Sequence, residues 1–393
     1  MSGAVGAPLR VVVCGTRFGQ IYLSALARRP ERYRLVGIVA RGSDRSRALA
    51  EEYGVPLYRS VADLPDGVDV ACVAVSGAAG GGPGVELARE LMERGVHVLQ
   101  EHPLLPAELA DCLRTARGTG TQYLLNTFYP HLEPVRRFIA AARRLVELRT
   151  PVFVDAMCAV QVSFDLLDIL AEVFGGVRPW SLSAPEKADP GTAGRPLTAV
   201  EATVAGVPLS LRVENRMEPG DDSSSLFLHR VTVGTEAGNL TLVSTHGPVV
   251  WSPVLRTAAD AEGRFRVAGE WADGGTGDGG PAHSGPEGND SADSNAPADN
   301  GAEVLGPAEG PSWQEVLTRV WPEGVLHALD ELSARIAAGG DPLAGAQRHL
   351  TVARAWQELT ESLGYPEASA PRPGAPLRAA DLLPPDAASA ALR

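Results

Sequence analysis

One pattern constrains this chain more than any other. Over about its first 125 residues, short apolar runs alternate with helically spaced segments, and the connections are short. LRVVVC (9–14) stops at Gly15, as a strand buried on both faces does. Residues 20–29 follow with helical spacing through Ile21, Leu23 and Leu26. YRLVGIVA (33–40) and VDVACVAV (68–75) read as strands, separated by the helix RSRALAEEYG (45–54) ending at Gly54. VELARELMERG (85–95) is a helix with Gly95 in the C-cap position. VHVLQE (96–101) and QYLLNTF (122–128) are further strands, with a helix near 106–117 between them. Such alternation predicts a doubly wound α/β domain over residues 1–128.

From about residue 151 the pattern changes. PVFVDAMCAV (151–160) and the segments near 198–217, 226–235 and 239–244 read as strands without intervening helices. This predicts an α+β domain over 129–365 with a mainly antiparallel open sheet. FDLLDILAEVFG (164–175) is a helix that Ser163 is placed to cap, and two more helices fall within 313–339 and 343–364. Residues 273–312 have Val304 and Leu305 as their only bulky apolar residues, which predicts a disordered, dispensable insert. The Ala/Pro-rich tail 366–393 is expected to be loose.

Charge excludes some functions. Net charge is −13, against a general nucleic-acid binder, but the insert holds eight acids and no Lys or Arg, leaving −5 elsewhere. Net charge therefore says little about a site. No apolar run approaches the ~20 residues of a membrane helix, and MSGAVGAPLRVVVCG lacks a signal peptide's layout. A soluble, cytoplasmic protein that does not bind membranes is expected. Cys14, Cys72, Cys112 and Cys158 show no C-x-x-C spacing, so neither a metal ribbon nor a disulfide scaffold is expected, and Cys14 and Cys72 read as buried thiols. Of the 35 basic residues only Lys187 is a lysine, so chemistry that needs a lysine would have to use it.

After the first strand come Gly15, Thr16, Arg17, Phe18 and Gly19, then a helix. A glycine turn there lets backbone N–H groups and the helix N-terminus approach a pyrophosphate, although only Gly15 and Gly19 remain of G-x-G-x-x-G. NAD-selective sites usually carry an acid near the end of the second strand. Here that strand runs into Arg41, Ser43, Arg45 and Ser46, which match a 2′-phosphate and favour NADPH. Asp44 lies further on, where it can cap the next helix.

The fourth strand ends in Gln100-Glu101-His102-Pro103-Leu104, and the next segment in Asn126-Thr127-Phe128-Tyr129-Pro130-His131. In the glucose–fructose oxidoreductase and inositol dehydrogenase superfamily the first of these places holds Glu-Lys-Pro; here His102 stands for the lysine. The stretches GTRFGQIYL, RGSDRSRALAEEYGVPLY, RGVHVLQEHPL, NTFYPH, GPVVWS and VWPEGV resemble the thiazolinyl imine reductases of pyochelin and yersiniabactin siderophore biosynthesis.

That resemblance implies NADPH-dependent reduction of a thiazoline C=N to a thiazolidine. The substrate would hang from a nonribosomal peptide synthetase carrier domain by a phosphopantetheine thioester. It names His102 and Tyr129 as the candidate proton donors. On intrinsic acidity His102 is the better of the two, with Tyr129 orienting the ring or relaying a proton. Glu101 is assigned to holding the cofactor or the backbone, and His131 to a helix start or the surface. The superfamily often has D-x-x-x-H on the 164–175 helix; with no His there, Asp165 and Asp168 read as solvated positions. The glycine-rich loop 76–84 either borders the nicotinamide, admits a pantetheine arm, or is simply mobile. A homodimer is expected by analogy with the fold. A sugar or polyol dehydrogenase of the same fold, which would need the missing lysine, and a non-catalytic NADP-binding protein are the alternatives.

Overall fold

The computed structural model describes residues 7–77, 82–183, 196–217, 225–254, 301–368, 377 and 379–382. Lys187, residues 78–81 of the loop 76–84, and residues 273–300 of the insert therefore lie outside the described residues.

The N-terminal sheet is parallel and six-stranded. Its strands are β1 (Leu9–Cys14), β2 (Tyr33–Val39), β3 (Leu57–Tyr58), β4 (Val70–Val73), β5 (His97–Glu101) and β6 (Tyr123–Asn126), in the order β3-β2-β1-β4-β5-β6. Helices α1 (Gly19–Arg28), α2 (Asp44–Glu52), α3 (Gly84–Glu93) and α4 (Pro106–Thr119) connect them. This is the Rossmann arrangement, and it puts the carboxyl ends of β1, β4, β5 and β6 along one edge. Residues 11–14 and 70–73 are completely enclosed, as continuous apolar runs require.

Helix α5 (Glu133–Leu148) leads into the second sheet and buries Val135, Phe138, Ile139 and Ala142. That sheet comprises β7 (Pro151–Ala159), β8 (Ser181–Leu182), β9 (Thr198–Val204), β10 (Val207–Glu214), β12 (His229–Thr235), β13 (Gly238–Leu242), β14 (Val249–Pro253) and β15 (Glu303–Val304). Only the β7–β10 pairing is parallel, so the sheet is mainly antiparallel, as expected. Between β7 and β8 lies α6 (Ser163–Phe174). Ser163 is inside α6 rather than capping it; its hydroxyl donates to the Val160 carbonyl at 2.7 Å and accepts from Trp356.

The C-terminal helices return to the first domain. A short α7 (Trp313–Glu315) passes through a π-type turn at Val316–Val320 into α8 (Trp321–Ala338), followed by α9 (Ala346–Leu363). Asp330 of α8 accepts from Tyr33 and pairs with Arg29 and Arg32 at 3.1 and 2.9 Å. Those arginines are more than a third exposed, so the pairs are worth at most about 1 kcal/mol. Burial of Val325, Leu326, Leu329 and Leu332, at roughly 1.5–3 kcal/mol each, holds α8. The chain therefore does not divide at 128 into two independent halves.

Two boundaries need correction. Residues 301–312 belong to the fold and not to a disordered insert: β15 adds to the edge of β14, and Leu305 N–H donates to the Val249 carbonyl at 2.8 Å. Ser312 and Glu315 then form a capping box. The two bulky residues of an otherwise small and polar segment are the ones that anchor it. The tail likewise begins in order, with β16 (Glu367–Ala368) paired to β11 (Arg216–Met217). Replacing 273–300 by a short Gly/Ser linker is expected to leave the melting temperature and secondary structure nearly unchanged. Carrying the deletion to 312 should cost about 1–2 kcal/mol through the lost cap, with the edge strand in addition. Calorimetry of the two shortened chains checks this; an equal, large loss in both would contradict it.

Candidate active site

The cofactor edge begins at the β1–α1 turn. Gly15 has φ of +93°, and a Cβ there would lie 2.5 Å from the Ala74 carbonyl oxygen, so only glycine lets the backbone turn this tightly. Helix α1 starts at Gly19 with no side-chain cap and no acid in its first turn; the Ile21 N–H donates to the Phe18 carbonyl at 3.0 Å, and the earlier N–H groups of the turn are placed to meet an anion. Thr16 is buried beside the turn and Arg17 is exposed. The residues present thus fit a dinucleotide pyrophosphate. Phe18 packs edge to face on Phe128 at 5.1 Å and near Trp321 at 6.1 Å.

At the end of β2, Arg41, Ser43 and Arg45 are exposed. Ser43, not Asp44, caps α2: its Oγ accepts from Ser46 N–H at 3.3 Å. Asp44 pairs with Arg47 instead. Ser46 is fully buried and its hydroxyl donates to the Ser43 carbonyl, so it shapes the turn from beneath.

His102 lies between two carboxylates. Its Nδ1 is 3.0 Å from Glu101 Oε1 and 3.1 Å from the Asn126 carbonyl oxygen; its Nε2 is 2.8 Å from Asp165 Oδ2. The carbonyl only accepts and the carboxylates accept when ionised, so the surroundings call for an imidazolium. Burial alone would lower the His102 pKa, but Asp165 and Glu101 outweigh it and hold the pKa well above the ordinary value. Burial pushes the Asp165 pKa up to about 7 against the pull of His102. The pair therefore holds a proton at neutral pH.

Glu101 is fixed from behind. Tyr22 donates to its Oε2, Asn126 Nδ2 donates to the same oxygen at 3.3 Å, and Asn126 also donates to the Tyr22 oxygen at 2.5 Å. Glu101 and Asn126 stand opposite each other in the β5–β6 register, while Tyr22 is one turn into α1. The carboxylate thus faces His102, Tyr22 and Asn126.

Asp165 and Asp168 correct the expectation of solvated positions, at 0% and 1% exposure. Helix α6 is enclosed nearly all round, so it has no solvent face. Asp168 accepts from Thr127 at 2.6 Å and pairs with Arg348 of α9 at 3.2 Å. It ties three elements together, whereas Asp165 belongs to the His102 site.

Tyr129 is in a 3-10 turn and packs edge to face on His229 at 4.9 Å. Burial lowers the His229 pKa to about 4; its Nε2 donates to the Val162 carbonyl and its Nδ1 meets the Thr245 hydroxyl. Phe128, just before, takes a φ of +53°, which costs a non-glycine residue about 1–3 kcal/mol. Phe18, Tyr129 and Trp321 rings hold it there.

His131 stands apart from this centre. It meets His327 at 3.0 Å and lines a cavity of about 280 Å³ with His349, Arg136, Arg143 and Glu331. His102, Glu101 and Tyr129 do not line it. The four cysteines are free and buried.

Comparison with known proteins bears on this centre. Residues 9–127 match the family described as "Oxidoreductase family, NAD-binding Rossmann fold". Residues 149–252 match "Thiazolinyl imine reductase Irp3-like, C-terminal". The first defines the class, an oxidoreductase with an NAD(P)-binding Rossmann domain. The second adds that residues 149–252 are similar to the C-terminal region of thiazolinyl imine reductases, and the two matches together support that family within the glucose–fructose oxidoreductase and inositol dehydrogenase superfamily.

Solved structures agree on the fold. An oxidoreductase from Agrobacterium radiobacter in complex with NAD+, L-tartaric acid and magnesium is 12% identical, with a TM-score of 0.60, 89% of this chain and 94% of that one being covered. Levoglucosan dehydrogenase in complex with NADH and levoglucosan is 13% identical, with a TM-score of 0.60 over 90% and 97%. UDP-N-acetylglucosamine 3-dehydrogenase from Acidithiobacillus ferrooxidans is 14% identical, with a TM-score of 0.58 over 90% and 98%. No curated protein sequence matches the chain. No helix among the described residues is long and apolar enough to cross a membrane.

Proposed function

We propose that this chain uses NADPH to reduce a thiazoline C=N to a thiazolidine. The substrate is an intermediate carried on the phosphopantetheine arm of a nonribosomal peptide synthetase carrier domain, as in siderophore-type biosynthesis. The observation that carries the reading is His102, placed at the β5 end where the wider superfamily has lysine and held as a proton carrier by Glu101 and Asp165. The C-terminal family match supports it. In this reading the protein works in the cytoplasm as a homodimer.

Gly15, Thr16, Arg17, Phe18 and Gly19 would hold the dinucleotide across the α1 N-terminus, and Arg41, Ser43 and Arg45 its adenosine 2′-phosphate. The reduced nicotinamide supplies hydride. His102 places a proton at the ring nitrogen, because an iminium carbon accepts hydride better than a neutral imine does. Asp165 favours the charged imidazolium before transfer and, once the proton has gone to the ring nitrogen, favours its replacement on His102 from solvent. Glu101, itself fixed by Tyr22 and Asn126, sets the ring's orientation from the Nδ1 side. Tyr129 borders the same centre through His229 and is the second candidate donor.

The test is turnover of a thiazoline on its carrier domain with NADPH, read by mass spectrometry as the gain of two hydrogens. Oxidation of sugars or polyols instead would favour a dehydrogenase of the same fold. Tight NADPH binding without turnover would favour a non-catalytic protein. For the cofactor, Arg41→Ala with Arg45→Ala should weaken NADPH at least tenfold while sparing NADH, since charge-assisted phosphate contacts contribute about 1.5–3 kcal/mol each. Equal use of both cofactors by the unmodified chain would refute the preference.

A further inference from the structure

We propose that Arg59 is a third arginine of the adenosine 2′-phosphate site and sets the cofactor preference together with Arg41 and Arg45. The proposal rests on the NADPH reading above and extends it to a residue outside the β2–α2 turn.

Strand register brings Arg59 there. The edge strand β3 pairs in parallel with β2, Ile38 opposite Leu57 and Val39 opposite Tyr58. Ala40 N–H then donates to the Tyr58 carbonyl at 3.0 Å, extending the ladder one step beyond the strand. The next residue on each chain is therefore Arg59 beside the turn that holds Arg41. An Arg59 Nη1 donates to the Arg41 carbonyl, which anchors the side chain across the turn. Gly42 makes room for it: its φ is +86°, and any Cβ there would run into the Arg59 guanidinium.

The charges around the turn are unbalanced. Among the described residues, Arg41, Arg45 and Arg59 are exposed and none has a carboxylate ion-pair partner, while the nearby acid Asp44 is paired with Arg47. Asp63, further along, accepts from Ser60 N–H and Ser60 Oγ at 3.0 and 2.8 Å. Like charges gathered at one turn repel, and a phosphate monoester with about −1.5 to −2 charge at pH 7 relieves that repulsion. Arg59 uses one of its N–H donors on the backbone, and a guanidinium has five. The anchored side chain loses less freedom on binding than a free arginine would. The α2 N-terminus, with Ser43 as its cap, adds a partial positive charge to the same place.

Equilibrium binding of four probes tests the proposal: NADPH, NADH, adenosine 2′,5′-bisphosphate and 5′-AMP, none of which requires turnover. Arg59→Ala should weaken NADPH and the bisphosphate about tenfold and leave NADH and 5′-AMP within twofold. Arg59→Lys should restore part of the loss, and higher salt should narrow the gap between the unmodified chain and Arg59→Ala. Equal weakening of all four probes would mean that Arg59 only supports the turn, and no change in any would remove it from the site; either result overturns the proposal. If the unmodified chain binds NADPH and NADH alike, the cofactor reading itself has failed. If it prefers NADPH, and Arg41→Ala with Arg45→Ala abolishes the preference while Arg59→Ala does not, only the role of Arg59 has failed.

Discussion

Replacing His102 by Asn is expected to lower turnover of a thiazoline substrate by about 10²–10⁴ while NADPH binding persists, the usual range for loss of a general acid. The variant keeps a hydrogen-bonding side chain of smaller volume, so the fold should hold. It leaves Glu101 and Asp165 without the imidazolium between them, and Asp165 should then take up a proton. In the unmodified protein, activity should fall as pH rises through the His102 pKa. Because Asp165 and Glu101 raise that pKa, the fall should come well above the range of a free histidine. His102→Asn should lack this alkaline limb. Asp165→Asn should keep it but move it to lower pH, since removing the negative charge withdraws support from the imidazolium. A merely structural role for Asp165 would not move the limb. Tyr129→Phe should cost less than His102→Asn. Modest single effects with a large double effect would mean that the two residues share the role. Small effects in both singles and the double would leave hydride placement as the whole of catalysis and remove both residues from it.

Much of this site was legible in the sequence, and the part that was not has definite physical causes. Gly15 and the β1–α1 turn follow from local rules, because a glycine after a buried strand has few other uses. His102 stands out at a strand end because the superfamily has a lysine there. Asp165 was misread because its environment is not local: α6 carries two acids three residues apart, which suggests a wet face, yet α5, α9 and β7 enclose it. Tyr22 and Asn126 escaped for a similar reason, since their partner Glu101 is 79 and 25 residues away. Arg59 depends on a two-residue edge strand too short to leave a periodic signal. Helix α5 was also not anticipated, although Val135, Phe138, Ile139 and Ala142 carry helical spacing. Composition misled at 301–312, where an average over many small polar residues concealed Val304 and Leu305.

The fold should be unusually sensitive to mild acid. Burial lowers the pKa values of His131, His229, His246 and His349 to about 4, against about 6.5 in an unfolded chain. A histidine lowered in this way favours the folded state above the unfolded value, and that contribution is lost as pH falls toward the folded value. Asp165 acts in the opposite sense: its folded pKa of about 7 means that the folded chain already holds a proton which the unfolded chain takes up only near 4. His102, raised rather than lowered, is protonated in both states below about 6 and contributes no slope there. Four protons gained by these histidines on unfolding, less the one already on Asp165, leave a net uptake of about three near pH 5, to which His97 and His327, also lowered by burial, add in the same direction. At about 1.4 kcal/mol per proton per pH unit, stability should fall by roughly 3–4 kcal/mol for each unit in that region. A typical reserve of about 5–15 kcal/mol would be largely consumed between pH 6.5 and 4. Urea unfolding from pH 7.5 to 5 reads this directly, and it should be steep below 6.5. His349→Gln should flatten the slope by close to one proton even if it lowers stability at pH 7.5, because slope and absolute stability are separate readouts. A flat profile from pH 6.5 to 5, or one that rises toward acid, would show that these histidines are protonated within the folded chain.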